Sequence, residues 1–234
     1  MKIKLNGLTR LINPSKYSYA WKGKLSNYTL LEESEEQKSE YMIAFSGKSQ
    51  SFCIGMVDII GSTKISANLH EREWCKYYVI FLNSMAKILQ RFGAVPVKNG
   101  GDSLLYFFPE SADPKKKFGF MSCLECNLAM AESHYILSDA IKKQGLPELN
   151  YRISSDCGKV VVMEPNALSP MDIIGPPVNM CAKINRNAPK NGVVIGGDMY
   201  EMVKDLDDYR YKQTDGFSIG LKYSYPVYTV ERKV

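Results

Sequence analysis

Histidine and tryptophan are nearly absent from this 234-residue chain, with two of each. With only His70 and His134 to supply imidazole, a zinc centre is disfavoured. Cys123 and Cys126 do form a CxxC on a helix-like stretch, but no second pair follows it. Long apolar runs are missing too. The longest, Ile54 to Ile60 and Tyr77 to Leu82, fall well short of the ~18 residues a membrane-spanning helix needs, so no membrane span is expected. Met1 to Asn6 carries lysines but is followed by no apolar segment and no small-residue cleavage site. That argues against a secretory signal and makes the cytoplasm the expected location. Net charge is only +5, from 30 Lys and Arg against 25 Asp and Glu. An excess this small and dispersed suits a nucleotide or phosphate ligand and not a nucleic acid. Lys115 to Lys117 is the one basic run, and after Pro114 it reads as a solvated turn. No internal repeat and no low-complexity tract is visible. The six cysteines, Cys53, Cys75, Cys123, Cys126, Cys157 and Cys181, are scattered in apolar surroundings and read as reduced thiols.

What is present is an ordinary globular composition, 45% hydrophobic and 24% charged. At about 150 residues per domain the length predicts one large domain, or one with an appendage. Residues 1–50 form that appendage: aromatics alternate with Lys and Ser, and Glu32 to Phe45 has the pattern of one short helix. Residues 51–234 alternate buried strands with amphipathic helices, the signature of a layered domain. Phe52 to Ile60 reads as a strand, ended by Gly61-Ser62-Thr63. One long helix is expected from there to Arg91, since Trp74, Tyr77, Tyr78, Phe81, Met85, Ile88 and Leu89 recur at helical spacing. Val95 to Lys98 and Ser103 to Phe108 read as a β-hairpin around Asn99-Gly100-Gly101. A helix over Lys116 to Lys143 follows, then a strand pair turning at Gly158. Pro176-Pro177 opens a further helix, Asn187 and Pro189 close it, and Val193 to Gly196 and Val227 to Val230 supply the last strands. The order predicts an α+β fold, a ferredoxin-like βαββαβ core with a C-terminal extension.

Two acidic residues stand out. Asp58 ends an apolar strand, where a carboxylate is costly unless something cationic neutralises it, and Asp102 follows a two-glycine turn. Two carboxylates at neighbouring strand ends would define a site for one or two hard divalent cations, which take oxygen ligands and bridge carboxylates to substrate phosphates. Read as residues alone, the pair is equally accounted for by a helix cap and a turn position.

Four stretches, Phe52 to Thr63 (FCIGMVDIIGST), Lys98 to Asp102 (KNGGD), Arg152 to Val160 (RISSDCGKV) and Asp172 to Lys183 (DIIGPPVNMCAK), together resemble the catalytic domain of class III nucleotidyl cyclases in order and spacing. The resemblance implies that Asp58 and Asp102 bind two Mg²⁺ or Mn²⁺ ions per site, with the Ile59 carbonyl as a further ligand. It implies that the amides of Ile60, Gly61, Ser62 and Thr63 hold the triphosphate, that Lys98 and Asp172 read the base, and that Asn179 positions the ribose. It also places Lys222 as a triphosphate-binding lysine. The implied reaction converts ATP to 3′,5′-cyclic AMP and pyrophosphate at the interface of a homodimer, with each site drawing on both subunits.

Departures from the family pattern bear on activity. Where the family places an arginine four residues after the asparagine, this chain has Lys183, which keeps the charge and loses the planar fork. Arg186 offers a partial remedy, since Asn179, Lys183 and Arg186 share one face of a continuous helix. Ser154-Ser155-Asp156 replaces the usual Gly-Ile-His, and Gly100 takes a usually apolar hairpin position. That turn resembles the one in diguanylate cyclases, but Ser103 stands where those carry an acid. Adenine and cytosine present the same acceptor and amino pair, so a CTP cyclase remains an alternative. A slow or inactive nucleotide-binding regulatory dimer is another.

Overall fold

A computed structural model describes residues 45–163, 171–214 and 224–233. The expected appendage, apart from its last residues, and Lys222 lie outside them. Strand β1 (Phe45–Ile59) is the spine of an eight-stranded sheet. It pairs antiparallel with β3 (Ser103–Phe108) on one side and β4 (Tyr151–Met163) on the other. The sheet order is β2-β3-β1-β4-β6-β8-β7, with β2 (Val95–Asn99), β6 (Val193–Gly196), β7 (Tyr209–Gln213) and β8 (Val227–Arg232). Strand β5 (Asp172–Ile174) pairs with β4 off this path. The α+β class expected from the sequence is what is found.

Alternation along β1 decides the layers, because successive side chains point to opposite faces. Cys53, Val57 and Ile59 join a large cluster with Tyr77, Phe81 and Leu89 of α2 (Glu71–Arg91) and Leu124 of α3 (Lys117–Glu132). Phe52 and Ile54 face the other way, into a smaller cluster with Leu105, Phe107, Ile173 and Cys181 under α5 (Pro176–Ile184), which among the described residues is the fifth helix, after α1 (Ser62–Asn68) and α4 (His134–Lys142). A sixth, α6 (Gly197–Val203), follows β6. Fully burying each large apolar side chain contributes about 1.5–3 kcal/mol. One close approach requires glycine: a Cβ on Gly55 would lie 2.2 Å from the ring of Tyr106. That buried tyrosine donates to Asn127 Oδ1 at 2.7 Å, and Asn127 Nδ2 donates to Ser155 Oγ at 2.8 Å.

Several expected elements differ. β1 starts at Phe45, ahead of the Ser51 boundary and inside the end of the expected Glu32-to-Phe45 helix, because its polar first residues still pair with β4. The helix expected up to Arg91 is two helices, broken at Leu69-His70: the His70 N–H bonds Glu73 Oε2 at 3.0 Å and restarts the helix. The helix expected to Lys143 is also broken, at Ser133. Ser133 Oγ and Tyr151 Oη both donate to the Met130 carbonyl, at 2.7 and 2.6 Å, and such back-bonding bends a helix. No turn forms at Gly158; β4 runs through it in register with Phe52. The Ser-Ser-Asp stretch keeps that register because each polar group is satisfied. Ser154 Oγ donates to Cys181 O at 2.9 Å, and Asp156 accepts from Tyr225 Oη at 2.8 Å and Met199 N at 3.2 Å.

Candidate active site

Asp58 lies one residue from the end of β1, with Ser103 and Arg152 as its cross-strand partners. Asp102 is delivered beside it by the β2–β3 hairpin. The turn closes through Gly100 N–H on Ser103 O at 2.9 Å, and Gly101 has φ 80°, a conformation that favours glycine. The Asp102 carbonyl then accepts the Ile59 N–H at 3.2 Å, so the two acidic residues are tied by backbone. Both are half-buried. Burial, and then the charge of Asp102, push the Asp58 carboxyl up to about 6, opposed by Arg152.

Arg152 went unassigned in the sequence. Its role depends on strand register: it faces Asp58 across the ladder, and its Nε is buried with no hydrogen-bond partner. One guanidinium answers only part of the repulsion between two carboxylates, and the excess negative charge suits a divalent cation. Among the described residues no group of three or more His, Cys, Asp or Glu gathers. A cation here would therefore rest on Asp58, Asp102, the Ile59 carbonyl and oxygens of its own ligand, a set that fits a hard ion.

The turn after β1 corrects one expectation. The Ile60 N–H is already bonded to Asn150 O at 2.8 Å, so of the four expected phosphate-holding amides only those of Gly61, Ser62 and Thr63 remain to serve. Gly61 and Thr63 are exposed at the start of α1.

The residues expected to read the base and hold the ribose lie on other elements. Lys98 is on β2, its Cα opposite Leu105 after a shift in register; Leu105 in turn pairs with Met56, two residues before Asp58, and β2 touches β5. Asp172 opens β5 opposite Met163, and its Oδ1 accepts the Ile173 N–H at 2.8 Å. At ~3.3 Å per residue, about 36 Å of strand β4 separates Met163 from Arg152, the partner of Asp58. Asn179 and Lys183 are exposed on α5, while Cys181 and Ile184 of the same helix are fully buried. Arg186 is exposed in a single 3₁₀ turn, Asn185–Asn187, that ends α5. The backbone stays right-handed helical through Ile184 and Asn185, so Arg186 is shifted only slightly around the axis from Lys183. Within this turn the Asn185 amide donates to Ser154 Oγ at 3.1 Å and Arg152 O at 3.3 Å.

No family model and no curated protein matches the chain. Solved structures do. The adenylyl cyclase CyaB from P. aeruginosa aligns with a TM-score of 0.72 at 22% identity, over 80% of this chain and 96% of that one. The guanylate cyclase domain of RhGC from Catenaria anguillulae, solved with GTP, aligns at 0.69 and 19% identity over 80% and 100%. The catalytic core of a rhodopsin-guanylyl cyclase with converted specificity, solved with ATPαS, aligns at 0.69 and 20% over 80% and 98%. The fold is that of class III nucleotidyl cyclase catalytic domains, and both adenylyl and guanylyl cyclases share it.

Proposed function

We propose that this chain is a nucleotidyl cyclase that converts ATP to 3′,5′-cyclic AMP and pyrophosphate, producing a signalling nucleotide. The observation that carries this reading is the Asp58–Asp102 pair at the joined ends of β1 and the β2–β3 hairpin, with Arg152 opposite Asp58, in a cyclase fold. In the reaction the ribose 3′-oxygen attacks the α-phosphorus in line, its proton is lost, and pyrophosphate leaves with the electrons of the broken bond. Asp58 and Asp102, with the Ile59 carbonyl, would hold two divalent ions. When bound, those ions lower the 3′-hydroxyl pKa and neutralise phosphate charge. Gly61, Ser62 and Thr63 offer amides to the triphosphate, and Arg152 adds positive charge beside it. Lys98 and Asp172 read the adenine, Asn179 orients the ribose, and Lys183 stabilises charge on the transferring phosphoryl group.

The placing of Asp172 opposite Met163, about 36 Å along β4 from Arg152, with Asn179 and Lys183 facing outward, supports a homodimer in which the acidic pair of one subunit works with base and ribose residues of its partner. A second reading, a slow nucleotide-binding regulatory dimer, is favoured by Lys183 standing in place of the family's arginine. The test is product analysis after incubating the full chain with ATP, GTP, CTP or UTP and Mg²⁺ or Mn²⁺. Cyclic AMP from ATP supports the proposal. Cyclic CMP would move it to a pyrimidine cyclase and cyclic GMP to a guanylyl cyclase. No cyclic product from any nucleotide would reject the enzyme in favour of the regulatory dimer.

A further inference from the structure

Asn191 is the only residue other than glycine, among those described, with a positive φ, 58°. Such a conformation costs most side chains free energy, and asparagine tolerates it. Every polar group of Asn191 that the geometry shows is used in one direction. Its N–H donates to Tyr151 O at 2.8 Å, its Oδ1 accepts the Tyr151 N–H at 3.0 Å, and its Nδ2 donates to Asn150 Oδ1 at 2.9 Å. Asn191 therefore grips Asn150 and Tyr151 by backbone and side chain together. Glu148 and Lys190 flank the grip, and the Asn150 hydrogen bond, then Lys190, hold the Glu148 carboxyl below its ordinary range.

The gripped segment in turn holds one peptide. The Asn150 carbonyl accepts the Ile60 N–H at 2.8 Å. A trans peptide is planar, so the N–H of Ile60 and the C=O of Ile59 point in opposite directions within one rigid unit. On the other side, the Ile59 N–H donates to Asp102 O at 3.2 Å. In an extended residue the N–H and C=O lie on the same side of the strand. The Ile59 carbonyl thus turns toward the hairpin that carries Asp102, and the Asn150 bond behind it keeps it there.

We infer that Asn191 and Asn150 are positioning residues for the divalent-cation site: they lock the Ile59–Ile60 peptide so that its carbonyl completes the oxygen set begun by Asp58 and Asp102. This rests on the cation-binding reading proposed above. Neither asparagine touches the cation; both act through the peptide.

The test is Mn²⁺ alone titrated into the full-length protein, with the free ion followed by its paramagnetic resonance signal and melting recorded alongside. Asn191→Gly keeps the positive φ without strain and deletes the side-chain grip. It should bind Mn²⁺ about tenfold more weakly than wild type, roughly the worth of one charge-assisted contact to a metal or its orienting partner, while melting near the wild-type temperature. Asn191→Asp keeps the acceptor for Tyr151 and loses the donor to Asn150. It should weaken binding by a smaller factor, and it decides the matter if the glycine variant does not fold. Wild-type Mn²⁺ affinity in both variants overturns the positioning role and leaves the cation site standing. If wild type binds no Mn²⁺ beyond what an Asp58→Asn control binds, the cation reading itself fails, and this inference with it.

Discussion

Asp156 offers a test in which the sign is set by burial. Its carboxyl is 1% exposed in β4, so solvent does not screen it. Oδ2 accepts from Tyr225 Oη at 2.8 Å, and Oδ1 accepts the N–H groups of Cys157 and Met199 at 2.9 and 3.2 Å. Among the described residues no cation answers it, and Asp198 adds like charge. Burial outweighs the three hydrogen bonds and pushes the carboxyl from an ordinary 3.8 up to about 7. Below about pH 4 the group is protonated folded and unfolded alike and has no pH-linked effect. Between about pH 4 and 7 the unfolded chain ionises first, so stability falls as pH rises, by about 1.4 kcal/mol per pH unit. Above pH 7 the accumulated loss is on the order of 4 kcal/mol.

Asp156→Asn removes that ionisation and keeps the acceptor for both N–H groups. Its Nδ2 then meets the Tyr225 oxygen, which already accepts the Asp198 N–H at 3.0 Å but has a second lone pair to offer. The rearrangement costs about 1 kcal/mol. The variant should therefore be about as stable as wild type at pH 4.5, where the two effects cancel, and roughly 3 kcal/mol more stable at pH 8. Urea unfolding of both proteins at the two pH values measures this. A difference that does not change with pH would mean Asp156 is ionised in the folded state throughout, and that the hydrogen bonds win over desolvation.

Other perturbations address the reaction and the packing. Asp58→Ala or Asp102→Ala should abolish cyclic nucleotide formation without lowering the melting temperature, because each change also relieves repulsion between half-buried carboxylates; full activity in either variant would remove the pair from the site. Lys183→Arg should raise kcat, or at least not lower it, by supplying a planar fork to the transferring phosphoryl group, and a large loss of rate would show that lysine has its own fitted role there. Gly55→Ala drives a Cβ to 2.2 Å from the Tyr106 ring and should cost about 1–3 kcal/mol in denaturant unfolding; wild-type stability would mean that Tyr106 moves aside freely. Asp58→Ala and Asn179→Ala, each nearly inactive alone, should recover roughly a quarter of wild-type activity when mixed, since half the dimers are then mixed and each has one intact site. No recovery after labelled subunits are seen to exchange would reject the composite site.

What was legible in the sequence divides by the kind of constraint each residue obeys. The apolar run of β1, the glycine hairpin before Asp102 and the proline start of α5 are local patterns, and all three appear where expected. The broken helices were not legible, because a distant group decides the second break: Tyr151, from β4, competes for the Met130 carbonyl of α3. Strand β7 (YRYKQ) carries only a weak apolar alternation, and α6 opens on two glycines, Gly196 and Gly197, with no side chain to cap it, so neither has a strong local pattern.

Within the candidate site, Asp58 and Asp102 are visible because carboxylates at strand ends are chemically unusual wherever the chain goes. Arg152 and Asn185 matter only through register, which no single-strand pattern contains. The i, i+4, i+7 spacing of Asn179, Lys183 and Arg186 is a local pattern by contrast. Right-handed helical backbone runs through Ile184 and Asn185 into a 3₁₀ turn, with the Asn185 amide anchored on Arg152 O and Ser154 Oγ. Arg186, three residues after Lys183 on that backbone, is exposed as Lys183 is. The Lys183→Arg rate therefore measures what the departure at Lys183 costs with Arg186 still in place.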